Sequence, residues 1–122
     1  MSTLTETRAS DIAGWGLFAT ADLPAGTPIG ADLATVNHSC DPNLGWSDGA
    51  LVTLVDVPAG AEVVVDYAMH ETDPTYLLRC HCPSQRCRQM VEGTDWRLPQ
   101  LQRRYEGHFA PAVAALITKS QS

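Results

Sequence analysis

The stretch VNHSCDPN, residues 36–43, joins an Asn-His pair and a Ser-Cys pair to an Asp-Pro turn. The Asp-Pro dipeptide and the following Asn43 are typical turn residues. A turn does not, however, require the His38, Ser39 and Cys40 that come before it. We therefore interpret the stretch as a functional segment whose partners lie elsewhere in the chain.

Composition limits the classes of protein that the chain can represent. Its 122 residues fit one domain, and a hydrophobic content of 44% is ordinary for a globular protein. A net charge of −6 argues against direct binding of nucleic acid and favours a basic partner. No apolar run approaches the roughly 18 residues of a membrane span, and MSTLTETRAS lacks the pattern of a signal peptide. We expect a cytoplasmic protein that binds neither membrane nor nucleic acid.

The order of patterns along the chain predicts a mostly β protein with C-terminal helices, an α+β fold without βαβ repeats. The motif Asp-[Leu/Val]-Pro-Ala-Gly occurs at 22–26 and 56–60, and we interpret both copies as the same turn between strands. Helices are predicted over 94–109 and from about Pro111 onward. The expected parts are a polar N-terminal lead-in (1–13), a β-domain (14–68), a cysteine-rich loop (69–90) and a helical segment (91–122).

The four cysteines of the chain point to a metal. Three are grouped in the loop, and Cys40 lies in the stretch described first. In a cytoplasmic protein such a set favours tetrahedral zinc over disulfides, and a site of four thiolates is structural. His81 lies between two of the expected ligands and can compete for the metal. The alternatives are four ordinary thiols, or a redox sensor that would need reactive, metal-free thiols. The expected zinc ligands are Cys40, Cys80, Cys82 and Cys87.

Four motifs, taken together and in this order, resemble those of SET-domain proteins, most of which are protein-lysine methyltransferases. They are GWGLFAT (14–20), NHSCDPN (37–43), GAEVVVDY (60–67) and CHCPSQRC (80–87), the last similar to the segment known as post-SET. EGTDWRLPQLQRRYEGHF (92–109) is similar to short bacterial members. The resemblance implies a minimal SET-like β-fold of small curved sheets with a post-SET zinc loop.

The resemblance also implies roles for individual residues. Tyr67 would be the active-site tyrosine and would also contact the cofactor. Gly14, Trp15 and Gly16 would present their backbone to it, and glycine would allow a close approach. The residues expected to bind S-adenosylmethionine are Gly14, Trp15, Gly16, Asn37, His38, Tyr67 and His81.

The activity implied is transfer of a methyl group from S-adenosylmethionine to a lysine side chain of a basic protein or peptide. The protein would mainly align the reacting groups. It would also lower the lysine pKa from about 10.4 by desolvation. Tyr67 is expected to orient the amine and not to act as a strong base, since a phenol titrates near 10.

The segment between the first two motifs is short. Only residues 17–36 separate Gly16 from Asn37, whereas the family has an insert there that forms one side of the substrate groove. A missing layer would leave open strand edges and apolar surface, so a homodimer is possible. The alternative function is a catalytically inactive, zinc-stapled module for protein interaction.

Overall fold

A computed structural model describes residues 4–82 and 84–121 of the chain. Residues 1–3 of the expected lead-in, Pro83 of the cysteine loop and Ser122 of the helical segment lie outside the described part. The strands are β1 (Thr5–Ala9), β2 (Trp15–Ala19), β3 (Asn37–His38), β4 (Leu44–Ser47), β5 (Ala50–Thr53), β6 (Glu62–Val65), β7 (Leu77–Arg79) and β8 (Met90–Glu92). The α-helices are α1 (Pro99–Arg104) and α2 (Pro111–Gln121), and 3₁₀ turns occur at Leu33–Thr35, Tyr67–Met69 and Asp95–Arg97.

A four-stranded sheet in the order β1-β2-β6-β3 carries the candidate site. Strand β2 pairs antiparallel with both β1 and β6, whereas β3 runs parallel to β6. The parallel pairing sets Asn37 opposite Val64 and His38 opposite Val65. The Asn-His pair therefore lies beside the strand that leads directly to Tyr67.

The two Asp-[Leu/Val]-Pro-Ala-Gly motifs form a reciprocal pair of turns. Leu23 and Val57 exchange backbone hydrogen bonds of 2.7 and 2.8 Å. The backbone N–H of Ala25 donates to Asp56 Oδ1, and the N–H of Ala59 donates to Asp22 Oδ1, both at 2.9 Å. The glycine that ends each motif has a positive φ, +88° for Gly26 and +87° for Gly60. The interpretation of both copies as one turn type is confirmed.

The main hydrophobic core joins the four-stranded sheet and the β4–β5 strands to the C-terminal helices, whereas Val91 of β8 packs in a second cluster with Cys40 and Cys80. Strands β4 and β5 form a hairpin, and β7 and β8 form another. The core includes Leu17, Val63 and Val65 from the main sheet, together with Leu101 and Val113 from the two α-helices. The predicted mixture of small β-sheets and C-terminal helices is confirmed at this level. Within the described residues, no helix is both long enough and apolar enough to cross a membrane.

Three strands arise outside the predicted β-domain (14–68). Strand β1 lies in the polar lead-in, and its last four residues are exposed, so it lacks the alternating pattern that marks a half-buried strand. Strand β7 lies in the segment predicted as a cysteine-rich loop, and β8 lies where that loop was expected to meet the helical segment. All three strands are held by pairing with a neighbouring strand, which composition does not reveal.

The helix predicted over 94–109 is divided into two short pieces. A 3₁₀ turn covers Asp95–Arg97, and α1 begins only at Pro99. Proline disfavours helical geometry in the residue before it, and Leu98 is extended, with ψ at 121°. The helix predicted from Pro111 is confirmed as α2.

Candidate metal centre and cofactor cleft

The four cysteine sulfurs converge on one point. Their Sγ atoms all lie within 4.8 Å of one another, and the Cys40 and Cys80 sulfurs are 3.9 Å apart. Cys40 follows β3, whereas the other three come from the segment that follows β7. In tetrahedral zinc thiolate sites the Zn–S bonds of about 2.3 Å place the sulfurs about 3.8 Å apart. The cluster therefore has the ligand type and the spacing to hold a metal ion.

Hydrogen-bond donors surround the sulfurs. The backbone N–H groups of Arg88 and Cys82 donate to Cys40 Sγ at 3.4 Å and to Cys80 Sγ at 3.5 Å. Burial raises the pKa of the Cys40 thiol to about 12 and that of Cys80 to about 11. Burial acts in the same direction on Cys82, but hydrogen bonds outweigh it and lower its pKa to about 7. A bound cation is therefore needed to hold the two buried thiols as thiolates at neutral pH.

His38 connects the metal cluster to Tyr67. Its Nδ1 accepts a hydrogen bond of 3.0 Å from the backbone N–H of Tyr67, so Nδ1 carries no proton. In the neutral ring the proton is then on Nε2, which lies 3.3 Å from Cys40 Sγ and donates to it. Burial lowers the pKa of His38 to about 4, so the ring is neutral at pH 7. Both nitrogens thus bind within the protein, and neither is free for a ligand.

A cavity of about 530 Å³ opens beside this cluster. Four of the residues that were expected to bind the cofactor line this cavity, namely Asn37, His38, Tyr67 and His81. The loop before β2 also reaches the cavity, through Asp11, Ile12 and Ala13. Gly14, Trp15 and Gly16, which were also expected at the cofactor, are not among the lining residues. His81 lines the cavity but is not part of the sulfur cluster.

Gly14 and Gly16 serve different structural purposes. Gly14 has a φ of +39°, a conformation that other residues rarely adopt, and nothing lies close to where its Cβ would be. Gly16 has no such backbone requirement. A Cβ on Gly16 would overlap the carboxylate of Glu62 and would lie 2.9 Å from Asn37 Nδ2. The missing side chain thus makes room for a polar contact between Glu62 and Asn37.

Tyr67 presents its hydroxyl in a fixed orientation. The hydroxyl donates to the carbonyl oxygen of Val36 at 2.7 Å. The ring makes edge contacts with His38 and His70, at centroid distances of 5.2 and 5.1 Å. Burial, and then the neighbouring Tyr76, raise the pKa of Tyr67 above its ordinary value. The phenol therefore stays protonated at neutral pH, as expected for an orienting group.

A buried ion network lies behind the site, and sequence reasoning did not identify which arginine pairs with Asp66. Asp66 is fully buried, and it caps the 3₁₀ turn of Tyr67 by accepting from the Ala68 N–H at 2.9 Å. Tyr105 donates its hydroxyl to Asp66 at 2.7 Å, and the Arg88 guanidinium lies between Asp66 and Asp95. The sequence signal was the placement of an acid directly before Tyr67 and of an arginine directly after Cys87.

Comparison with known proteins gives partial matches. No protein-family model matches the chain. "Histone-lysine N-methyltransferase ash1" of Drosophila melanogaster is 31% identical over 84 residues, covering 62% of this chain and 4% of that protein. "Histone-lysine N-methyltransferase, H3 lysine-9 specific KMT1" of Fusarium mangiferae is 33% identical over 76 residues, covering 46% of this chain and 22% of that protein. The chain thus spans less than a quarter of either relative. This distant similarity supports a relationship to SET-type lysine methyltransferases at a coarse level.

Proposed function

We propose that the protein is an S-adenosylmethionine-dependent methyltransferase of the SET type that acts on a lysine side chain of a basic protein. The observation that carries the proposal is that the cavity and the cysteine cluster are adjacent. The cavity bordered by Asn37, His38 and Tyr67 lies directly against the four-cysteine cluster, and His38 contacts both. The partial similarity to two histone-lysine methyltransferases supports the same activity.

Zinc fits the cysteine cluster and would have a structural role. Four sulfurs within 4.8 Å of one another, with backbone N–H groups that donate to Cys40 and Cys80, suit Zn²⁺. All four ligands come from the protein, so no coordination position is left for a substrate. The metal would tie the segment after β7 to the end of β3, and both segments border the cavity.

S-adenosylmethionine fits the cavity in size and in polarity. A volume of about 530 Å³ lies within the usual range of small-molecule sites. Val64, Leu78 and Tyr76 offer apolar surface, whereas Asn37 and Glu62 offer polar groups. When bound, the cofactor supplies an electrophilic methyl group on a positively charged sulfur.

The protein's own contribution would be to bind and orient the amine. The Tyr67 hydroxyl already donates its proton to Val36, so its oxygen can accept a hydrogen bond from an incoming amine. The raised pKa of Tyr67 excludes it as a base at neutral pH. Apolar surroundings would lower the pKa of the lysine and favour its reactive neutral form.

The proposed methyl acceptor is a lysine in a basic protein. The net charge of −6 would attract a basic chain by long-range steering. Histone H3 is a suitable first probe, because the two similar proteins are named as histone-lysine methyltransferases. A matched H3 peptide with its lysines replaced by arginine keeps the charge and removes the acceptor.

Isothermal titration of the zinc-loaded protein with S-adenosylmethionine tests the proposal. We expect micromolar affinity, weakened at least about tenfold by Asn37→Ala and unchanged by Gln100→Ala, an exposed position on α1. Transfer of a labelled methyl group to the lysine peptide but not to its arginine counterpart would establish the acceptor. Absence of cofactor binding by a folded, zinc-loaded protein would overturn the proposal.

A further inference from the structure

The side-chain amide of Asn37 faces a set of acceptors. Its Nδ2 lies 2.8 Å from Glu62 Oε2, 3.1 Å from the Trp15 carbonyl oxygen, 3.2 Å from the Ala13 carbonyl oxygen and 3.1 Å from Ser10 Oγ. Carbonyl and carboxylate oxygens can only accept, so the atom that faces them must be the NH₂ group. Asn37 also lines the cavity, and with Nδ2 engaged by these acceptors Oδ1 is the side-chain atom left to accept a hydrogen bond from a ligand.

Glu62 is held firmly in this arrangement. Its second oxygen, Oε1, accepts a hydrogen bond of 2.8 Å from Ser10 Oγ. Ser10 Oγ in turn accepts from the backbone N–H of Ile12 at 3.0 Å, so its own proton is available for Glu62. The carboxylate thus links Asn37 to the loop before β2, and the absent side chain of Gly16 leaves space for that link.

Glu62 also lines the cavity, and its carboxylate lies 2.8 Å from the Asn37 amide nitrogen, so charge and amide are together in one part of the cavity. An acceptor oxygen and a carboxylate at one end of a cleft favour a cationic hydrogen-bond donor. A protonated primary amine has the matching charge and three donors. The amino-acid portion of S-adenosylmethionine carries such a group, whereas the nucleoside portion does not.

We propose that Glu62 is a positioning residue that holds the Asn37 amide in place and makes the cleft select ligands that carry a primary ammonium group. This inference rests on the proposed function and extends it, since it names the residue that makes the cavity prefer ligands with an ammonium group over ligands without one. The role differs from general support of the fold. A structural contact would affect all ligands equally, but an ammonium-selecting contact affects only ligands that have the ammonium.

Two ligands separate these roles. S-adenosylhomocysteine carries the ammonium group, whereas 5′-methylthioadenosine retains the nucleoside and sulfur but lacks both the ammonium and the carboxylate. Removal of the negative Glu62 would not weaken binding of a ligand carboxylate, so a selective loss for S-adenosylhomocysteine reports on the ammonium. We expect the unaltered protein to prefer S-adenosylhomocysteine. Glu62→Ala should weaken the binding of S-adenosylhomocysteine at least about tenfold, whereas the affinity for 5′-methylthioadenosine should change less than about twofold. Glu62→Gln, which removes the charge but can still accept from Asn37, should give a smaller loss of the same selective kind.

Glu92→Ala serves as the matched control, because it removes an exposed carboxylate on β8 that does not line this cavity. It should leave the preference between the two ligands unchanged. Equal weakening of both ligands by Glu62→Ala, or no weakening of either, would overturn the inference. If Glu62→Ala does not fold, Glu62→Gln is judged by the same criterion. Failure of the unaltered protein to bind either ligand would instead overturn the proposed function, and the inference with it.

Discussion

The guanidinium of Arg88 forms two parallel hydrogen bonds with the carboxylate of Asp66, from Nη1 to Oδ2 at 2.7 Å and from Nη2 to Oδ1 at 2.9 Å. Arg88 directly follows Cys87 in the cysteine loop, and Asp66 directly precedes Tyr67. Asp66 is fully buried, and the Arg88 side chain is 15% exposed. The ion pair therefore joins the cysteine-rich loop to the turn that positions the candidate active-site tyrosine.

We expect Arg88→Leu to destabilise the fold by about 3–5 kcal/mol, because it leaves the Asp66 charge buried without its partner. Urea unfolding of the zinc-loaded protein measures the loss. Arg86→Leu is the matched control in the same loop, since the Arg86 side chain is 56% exposed and lies 3.9 Å from Asp41. That variant should change the free energy of unfolding by less than about 1 kcal/mol. Equal losses in both variants would contradict the assigned role of the buried pair.

The same ion pair predicts a dependence of stability on pH. Burial alone would raise the pKa of Asp66, but the hydrogen bonds and charge of Arg88 outweigh it and lower the pKa below its ordinary value. An acid with a lowered folded-state pKa stabilises the fold above its unfolded pKa of about 3.9, and that contribution is lost as the pH falls further. The stability advantage of the unaltered protein over Asp66→Asn should therefore be constant from about pH 7 to 5 and shrink below about pH 4.

Unfolding curves of both proteins across this pH range measure the difference. Both carry the same four thiols, so the release of metal in acid is common to them and cancels in the comparison. A stability difference that stays constant down to pH 3 would show that Asp66 does not titrate as expected.

The cysteine cluster predicts one zinc ion per chain. Cys40→Ser should lose the metal and much of the stability, because metal binding in structural sites contributes on the order of 10 kcal/mol apparent. Metal analysis and thermal unfolding measure the two effects. Ser84→Ala alters the same loop through one hydrogen bond, from the Arg86 N–H to the Ser84 hydroxyl, and should keep the metal. A purified protein that is fully stable without metal would contradict the zinc assignment.

Features that depend on residues close together in the sequence could be predicted from it. Cys80, Cys82 and Cys87 lie within eight residues, so their proximity follows from local spacing, whereas the approach of Cys40 to them depends on the fold. The repeated Asp-[Leu/Val]-Pro-Ala-Gly turns were predictable because turn chemistry is local.

Contacts between distant polar residues could not be predicted in this way. Glu62 binds Ser10 and Asn37, and Arg88 binds Asp66. Nothing in the sequence distinguishes these charged residues from ones that are exposed to solvent. Strand β1 was missed because its polar residues gain their structure from pairing with β2, not from burial. The role of Gly16 became clear only from the side chains that occupy its space.

Substitution of Gly16 tests whether its missing side chain makes room for the Glu62 carboxylate. Gly16→Ala should push the Glu62 carboxylate away from Asn37, since the added Cβ would overlap it. We expect a loss of about 1–3 kcal/mol in the free energy of unfolding, typical of overpacking, and weaker binding of S-adenosylmethionine. Gly30→Ala is the matched control, because nothing lies within 4 Å of its Cβ position. If the two variants behave alike in unfolding and titration, Gly16 does not serve to accommodate Glu62.

Tyr67→Phe tests the role of the hydroxyl in methyl transfer. The change removes the hydrogen bond to the Val36 carbonyl and should cost about 0.5–1.5 kcal/mol of stability. Because the ring remains, binding of S-adenosylmethionine should change little, whereas methyl transfer should fall at least about tenfold through loss of the group that orients the amine. Tyr76→Phe removes a phenol from the same cavity without altering the Val36 bond, and it should retain most of the activity. Titration and single-turnover methylation separate the two effects. Equal activity of Tyr67→Phe and the unaltered protein would exclude Tyr67 as the orienting group.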